Sequence, residues 1–419
     1  MINVGNEMKV LIVNTSDIIG GAAKAAYRLH RALLSQNINS QMLVQDKSGD
    51  DYTVLSEANK IKKYINKLRP LIDSIPVRFY KNNGKTLFSP SWLGFNNIIK
   101  RINEINPDIV HVHWVAGGMM RIEDIAKINA PIVWSLHDMW AFTGGCHYDE
   151  FCANFKNDCL ECKVLSSVNC RLSSKGLSRR KYIYNKIRHL RIVPTSYWIK
   201  NQATDGFAAK YIDRVLYNPL DTSLFKKFPK QAARNFFNIG TDKKVILFGS
   251  IGVSSDKRKG FEKLLSALSL LKTRSFVLLI VGSTKPKDDR LSEFNTLYIP
   301  ALRDEISLPL IYNVADVTVT PSLQETFGQI SSESLACETP VVGFFATGTA
   351  DIVDHKINGY LAKPFDVTDL ANGIDWVLNN NNYNDLCKNA REKVIREFSS
   401  DIVAKKYIEL YQEIINDAK

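Results

Sequence analysis

The stretch VTVTPSLQETFGQISSESLACETPVVG, residues 317–343, changes character three times. Residues 317–320 are β-branched throughout, as a strand buried on both faces requires. Pro321 and Gly328 bound a turn, residues 329–337 have helix composition, and Pro340 opens a second apolar strand through Gly343. Strand, helix and strand in such close succession belong to a parallel sheet covered by helices.

The same alternation extends outward. Upstream lie strands at 244–248, 275–281 and 297–299, with helices at 260–272 and 309–313. Downstream lie helices at 368–378 and 401–415. The first half carries strands at 9–14, 41–45, 109–113, 132–136 and 192–195, with a Gly20-Gly21 turn before a helix at 22–34 and another helix at 122–127. The pattern restarts after Asn218-Pro219. The expected fold is therefore α/β: two tandem doubly wound parallel-sheet (Rossmann-like) domains facing a cleft. Residues 1–215 would form the first domain and residues 216–398 the second. A terminal helix, residues 399–419, would pack back on the first. Ligands of such sheets sit at the carboxyl ends of the strands.

Composition narrows the function. The chain has 419 residues, 45% hydrophobic and 23% charged, which excludes a disordered, collagen-like or mucin-like protein. No run approaches the ~18 apolar residues of a membrane-spanning helix. Residues 1–13 show no secretory leader, so a cytoplasmic location is expected. Lysine and arginine total 55 against 43 acidic residues, a net charge of +12. That excess suits an anionic partner: nucleic acid, a phosphorylated small molecule or an anionic membrane. No basic-aromatic recognition motif accompanies it, so nucleic acid is not expected.

Four places could carry chemistry. Glu325 follows a strand on a Gly-containing turn, and Glu333 lies eight residues on, near the next helix start. Side chains lean toward a helix N-terminus, so both carboxylates can serve one crevice. The backbone N–H groups of Phe327 and Gly328 stand at that helix start, where an anion or a polyhydroxylated ligand is favoured. Carboxylates accept hydrogen bonds from sugar hydroxyls. The basic run DKRKG, residues 256–260, follows another strand end. Arg258 and Lys259 there suit a diphosphate, though a solvated charged loop has the same composition. Gly20-Gly21 allows close backbone approach but is not a dinucleotide fingerprint. His137, just beyond a strand, is placed to donate to a sugar or phosphate, whereas His111 and His113 alternate within a strand and read as buried.

The whole chain resembles a GT-B glycosyltransferase of family 4. The matching stretches are IIGGAAKAAYRLHRAL, DIVHVHW, WSLHDMWAFTGGC, VLYNPLD, DKRKGFEKLL, LPLIYNVADVTVTPSLQETFGQISSESLACETPVV and GTADIVDHKINGYLA, in family order. The resemblance implies retaining, nucleotide-sugar-dependent transfer of hexosyltransferase type, with no catalytic cofactor or metal. It implies that Glu325 lies by the donor sugar and reacting phosphate, within a donor loop that includes Thr326, Phe327 and Gly328. Glu333 would hold the ribose hydroxyls. Arg258 and Lys259 would neutralise the leaving diphosphate with help from Gly21, and His137 would sit near donor sugar and acceptor. Gly348 and Thr349 match a loop near the phosphates. Val253 stands where many members carry an arginine. The TGGCHY segment resembles enzymes of exopolysaccharide, capsule and lipopolysaccharide assembly, which implies a glycan or lipid-linked acceptor. A catalytically inactive binding or partner subunit is the competing reading.

Two further features stand outside that core. Cys146, Cys152, Cys159 and Cys162 read C-x5-C-x6-C-x2-C, compatible with a structural zinc or with reduced thiols packing a loop. Residues 61–72, IKKYINKLRPLI, interleave Lys62, Lys63, Lys67 and Arg69 with Ile61, Tyr64, Ile65 and Leu68. They form a basic amphipathic helix, suited either to an anionic membrane on its inner face or to packing with a solvated side.

Overall fold

The computed structural model describes residues 8–80, 86–94, 97–240, 242–250, 256–273, 275–283, 289–302 and 304–418. The chain divides into two compact units. One takes the chain up to Pro219 together with the terminal stretch from Val403, and the other takes Leu220–Ile402.

The first unit holds β1 (Lys9–Ser16), β2 (Asn39–Asp46), β3 (Val54–Leu55), β4 (Ile109–Val112), β5 (Ile132–Leu136) and β6 (Leu190–Pro194). They form one parallel sheet in the order β3-β2-β1-β4-β5-β6. Successive side chains on a strand face opposite ways. Accordingly Leu11 and Val13 enter one core with Val110 and Val112, while Val10 and Ile12 enter another with Ala26 and Leu29. The last helix, Ser400–Ala418, closes this second core with Tyr407, Leu410, Tyr411 and Ile414. Burying Leu410 or Ile414 contributes on the order of 2 kcal/mol each.

The second unit repeats the plan. It holds β7 (Lys244–Gly249), β8 (Phe276–Val281), β9 (Thr296–Ile299), β10 (Val317–Thr320), β11 (Val341–Phe344) and β12 (Gly359–Ala362). Their order is β12-β11-β10-β7-β8-β9, all parallel. Each sheet thus starts at its centre and winds outward in both directions. The reversal falls between β1 and β4 in the first unit and between β7 and β10 in the second. A crevice opens at the carboxyl ends of such a strand pair, because the loops leaving it diverge to opposite faces.

Candidate functional site

In the second unit the loops leaving β7 and β10 meet at that reversal. Asp256 caps the short turn Lys257–Lys259, accepting from Arg258 N at 3.1 Å and from Arg258 Nη2 at 2.7 Å. Arg258 Nη1 donates to the Gln324 carbonyl at 3.0 Å, and Leu323 N donates to the Arg258 carbonyl at 2.7 Å. Gly260 has φ +73°, and a Cβ there would stand 1.8 Å from the Pro321 carbonyl oxygen. Only glycine lets the two loops lie this close.

The closure brings Lys259 Nζ onto Glu325 Oε2 as an ion pair. Burial opposes ionisation of Glu325, but the charges of Lys259 and Arg258 outweigh it and hold the carboxyl below its usual range. Two cations, Arg258 and Lys259, and two carboxylates, Asp256 and Glu325, are therefore fixed together at a strand-end crevice. Such cations suit a phosphate or diphosphate, arginine as a fork and lysine as a point charge.

The rest of the loop is anchored. Thr326, Phe327 and Gly328 are buried, and the Phe327 ring meets Phe398 edge-on at 5.7 Å. Gly348 N donates to the Glu325 carbonyl at 2.9 Å, and a Cβ on Gly348 would stand 2.3 Å from the Thr326 carbonyl oxygen. Thr349 Oγ1 is buried with no hydrogen-bond partner among the described residues. Glu333 lies within the helix Gln329–Ala336, 4% exposed, and accepts from the Tyr312 hydroxyl at 2.6 Å. Tyr312 was not legible as a site residue, because its helix, Leu308–Val314, reads only as an apolar turn. Val253 lies outside the described residues.

In the first unit, Gly20 has φ +96° and precedes the helix Gly21–Ser35, so the first turn after β1 needs glycine. His137 is half-buried at the end of β5. Its Nε2 lies 2.7 Å from Nδ1 of His113, which is fully buried beside His111. Burial lowers the His137 pKa to about 4 despite the opposing charge of Asp138. Asp138 in turn accepts from Trp114 Nε1 at 2.8 Å and is bonded to His147 Nδ1 at 2.6 Å. His113 and His147, which support this loop, carried no sequence signal beyond being histidines.

The four cysteines also come together. Cys146, Cys152, Cys159 and Cys162 line one small cavity. As the side chains stand, no group of three or more His, Cys, Asp or Glu among the described residues is poised to hold a metal ion.

The helix Lys60–Asp73 departs from expectation at one position. Arg69 does not join the basic surface. It is buried, with Nε donating to the Gly118 carbonyl at 2.6 Å and Nη2 to the Gly94 carbonyl at 2.8 Å. Asp73 is buried too and accepts from Trp92 N at 3.2 Å. The helix is thus held by its polar side chains. Lys62, Lys63 and Lys67 remain exposed alongside Ile61, Tyr64, Ile65, Leu68 and Leu71. Among the described residues no helix is long and apolar enough to cross a membrane.

Two doubly wound units in tandem, each with its loops gathered at a central strand reversal, define the GT-B class of fold. Solved structures share it. Sucrose-phosphate synthase from Thermosynechococcus elongatus aligns with a TM-score of 0.70 at 18% identity, over 98% of this chain and 100% of that one. Anabaena Alr3699/HepE in complex with UDP and glucose aligns with a TM-score of 0.65 at 15% identity, over 97% and 100%. Residues 19–224 match Glycosyltransferase Family 4, and residues 230–394 match Glycosyl transferases group 1. An uncharacterized glycosyltransferase of Methanocaldococcus jannaschii is 28% identical over 361 residues, 77% of this chain and 86% of that protein. A capsular polysaccharide biosynthesis glycosyltransferase, CapM, of Staphylococcus aureus is 26% identical over 172 residues, 39% of this chain and 45% of that protein. The chain belongs to the GT-B glycosyltransferases of the family 4 type.

Proposed function

We propose that this glycosyltransferase moves a hexose from a nucleotide-diphosphate sugar to a glycan or lipid-linked acceptor in cell-surface polysaccharide assembly, with retention of configuration and without a catalytic metal. The observation that carries the reading is the Lys259–Glu325 ion pair beside Arg258 at the carboxyl ends of β7 and β10. Breaking the bond between sugar and diphosphate leaves positive charge on the sugar and negative charge on the leaving group. Cations already fixed where that negative charge grows lower the barrier without reorganisation. Arg258 and Lys259 take this role, and Glu325 stays ionised beside the donor sugar. Thr326, Phe327 and Gly328 present backbone to the donor, and Glu333 accepts from the ribose hydroxyls. Gly21 and His137 are the candidate residues of the first unit, by the resemblance.

Capsule and colanic acid proteins among the relatives favour a surface polysaccharide as product. A neighbour of the same fold is described in complex with UDP-glucose, which favours a nucleotide sugar as donor. The exposed lysines and apolar side chains of Lys60–Asp73 complement an anionic bilayer, so the enzyme works at the inner face of the cytoplasmic membrane. Binding to vesicles that does not rise with anionic lipid content would remove that part of the reading.

The test is a thermal-shift panel of UDP, GDP, ADP, CMP and their common sugars. A ligand bound only by the folded chain raises the melting temperature by mass action. One nucleotide should give a clear shift that Glu333→Ala loses, and its sugar should then be transferred to acceptor. No shift with any of them, and no transfer, would overturn the proposal.

A further inference from the structure

We propose that Cys146, Cys152, Cys159 and Cys162 form a structural zinc site. The four thiols share one cavity of about 10 Å³, together with Gly144 and Phe155. That is the space of a single water-sized particle, enough for one ion and too small for an iron–sulfur cluster. Thiolate ligands select a soft or borderline cation, and four of them suit tetrahedral zinc.

The surrounding chain needs a brace. Between Thr143 and Cys170 the only regular element is the short turn Asn154–Lys156. Glu150, Phe151, Ala153, Cys159, Ser166 and Asn169 all adopt positive φ. Left-handed backbone costs a non-glycine residue roughly 1 kcal/mol, and the local apolar cluster around Phe88, Val164 and Leu165 is small. A metal crosslink offsets such strain.

Backbone donors already point at the sulfurs. Asn154 and Lys163 present N–H groups to Cys152, Gly144 to Cys159 and Leu165 to Cys162. N–H donors of this kind orient metal-bound cysteines. The Asp149 carboxylate, also at the cavity, is engaged by Ala153 N at 2.8 Å and Phe151 N at 3.1 Å. Zinc would draw the four sulfurs to about 2.3 Å from a common point. Cys170, whose thiol is bonded to Cys162, stays outside the ligand set.

The site braces the catalytic loop. Cys146 is followed by His147, whose Nδ1 is bonded to Asp138, next to His137. This consequence rests on the proposed role of His137, whereas the zinc site does not.

The test is elemental analysis of chain purified under reducing conditions without added metal. About one zinc per chain is expected, and cobalt exchanged into the wild type should show thiolate-to-cobalt charge-transfer absorption. Cys152→Ser with Cys159→Ser should lose the metal and lower Tm by several degrees. Cys170→Ser and Glu325→Gln should keep the metal, the latter even though turnover is lost. Zinc far below stoichiometry in folded wild type, thiols all open to a reagent, or two disulfides by mass would overturn the site. Loss of metal in Cys170→Ser would overturn this ligand set.

Discussion

His113 Nδ1 lies 2.7 Å from His137 Nε2, with the two rings stacked 5.0 Å apart and 18° from parallel. One nitrogen must donate and the other accept. His113 Nε2 is buried with no hydrogen-bond partner among the described residues. A buried orphan acceptor is tolerated better than a buried orphan N–H. His113 therefore carries its proton on Nδ1 and donates, which leaves His137 protonated on Nδ1 and neutral. His137 then serves as a hydrogen-bond donor and not as a base.

The first prediction concerns that tautomer. Nitrogen-15 spectra of histidine-labelled chain, with His137 assigned through His137→Gln, should show protonated Nδ1 and bare Nε2. This pattern should persist from pH 8 to about 5, because burial holds the His137 pKa at about 4. The unfolded ring, near 6.5, binds more protons across that window, so stability falls as pH drops from about 6.5 toward 4. His113→Leu should lower kcat about tenfold with nucleotide affinity unchanged, the size of one lost hydrogen bond. A proton found on His137 Nε2 would end the argument.

A second prediction separates stability from catalysis at Lys259–Glu325. Glu325 has a depressed folded pKa, so the pair stabilises above the unfolded value near 4.3, and that stability is lost as pH falls through the folded pKa. Lys259→Ala strands a buried carboxylate and should cost about 1–3 kcal/mol at pH 7.5, closing toward wild type in acid. Lys259→Ala with Glu325→Gln should recover most of that stability. Turnover should stay down about 10²–10³-fold in both variants, as for loss of a fixed transition-state partner. Denaturant melts across pH and a transfer assay read the two effects separately.

These pairings explain what the sequence could and could not reveal. Val10–Val13 and Val317–Thr320 are legible because a strand covered on both faces is apolar or β-branched at consecutive positions. The strand-end placement of Arg258, Lys259, Glu325 and His137 follows from that periodicity alone. Their partners are less legible. Tyr312 meets Glu333 from another helix, and His113 looks like any core histidine, since a single sequence does not record contacts across elements. Tyr383–Glu397 escaped notice because its buried stripe, Leu386, Ala390 and Val394, is narrow within a highly charged segment. Arg69 read as a surface charge because helical spacing gives its position but not the Gly118 and Gly94 carbonyls that capture it.

The terminal helix supplies a third prediction. His111 Nδ1 lies 2.6 Å from the Tyr411 hydroxyl, and His111 Nε2 lies 2.8 Å from Ser135 Oγ, which is 3.0 Å from the Tyr407 hydroxyl. The network is fully buried and ties the end of the chain to β4 and β5. Tyr411→Phe leaves a buried imidazole nitrogen unpaired and should cost about 1–3 kcal/mol in urea unfolding of the first unit. Deleting residues 403–419 also uncovers the face of Val10 and Ile12, so that unit should fail to fold. A wild-type melting curve for Tyr411→Phe, or cooperative melting of the first unit in the truncated chain, would contradict the role assigned to this helix.

The fourth prediction tests Glu333 as a ribose reader. Tyr312 fixes the Glu333 carboxylate through a 2.6 Å bond inside a buried site. If the carboxylate accepts from the ribose hydroxyls, Tyr312→Phe should weaken the nucleotide found by thermal shift about 3- to 10-fold, the worth of one hydrogen bond. Glu333→Ala should weaken it further, since charge-assisted bonds are stronger. The decisive comparison uses the same nucleotide lacking its 2′ and 3′ hydroxyls. Wild type and Glu333→Ala should bind that analogue alike, because a double cycle over residue and ligand isolates the shared interaction. An undiminished gap between the two proteins with the deoxy analogue would mean that Glu333 shapes the helix Gln329–Ala336 without touching ribose.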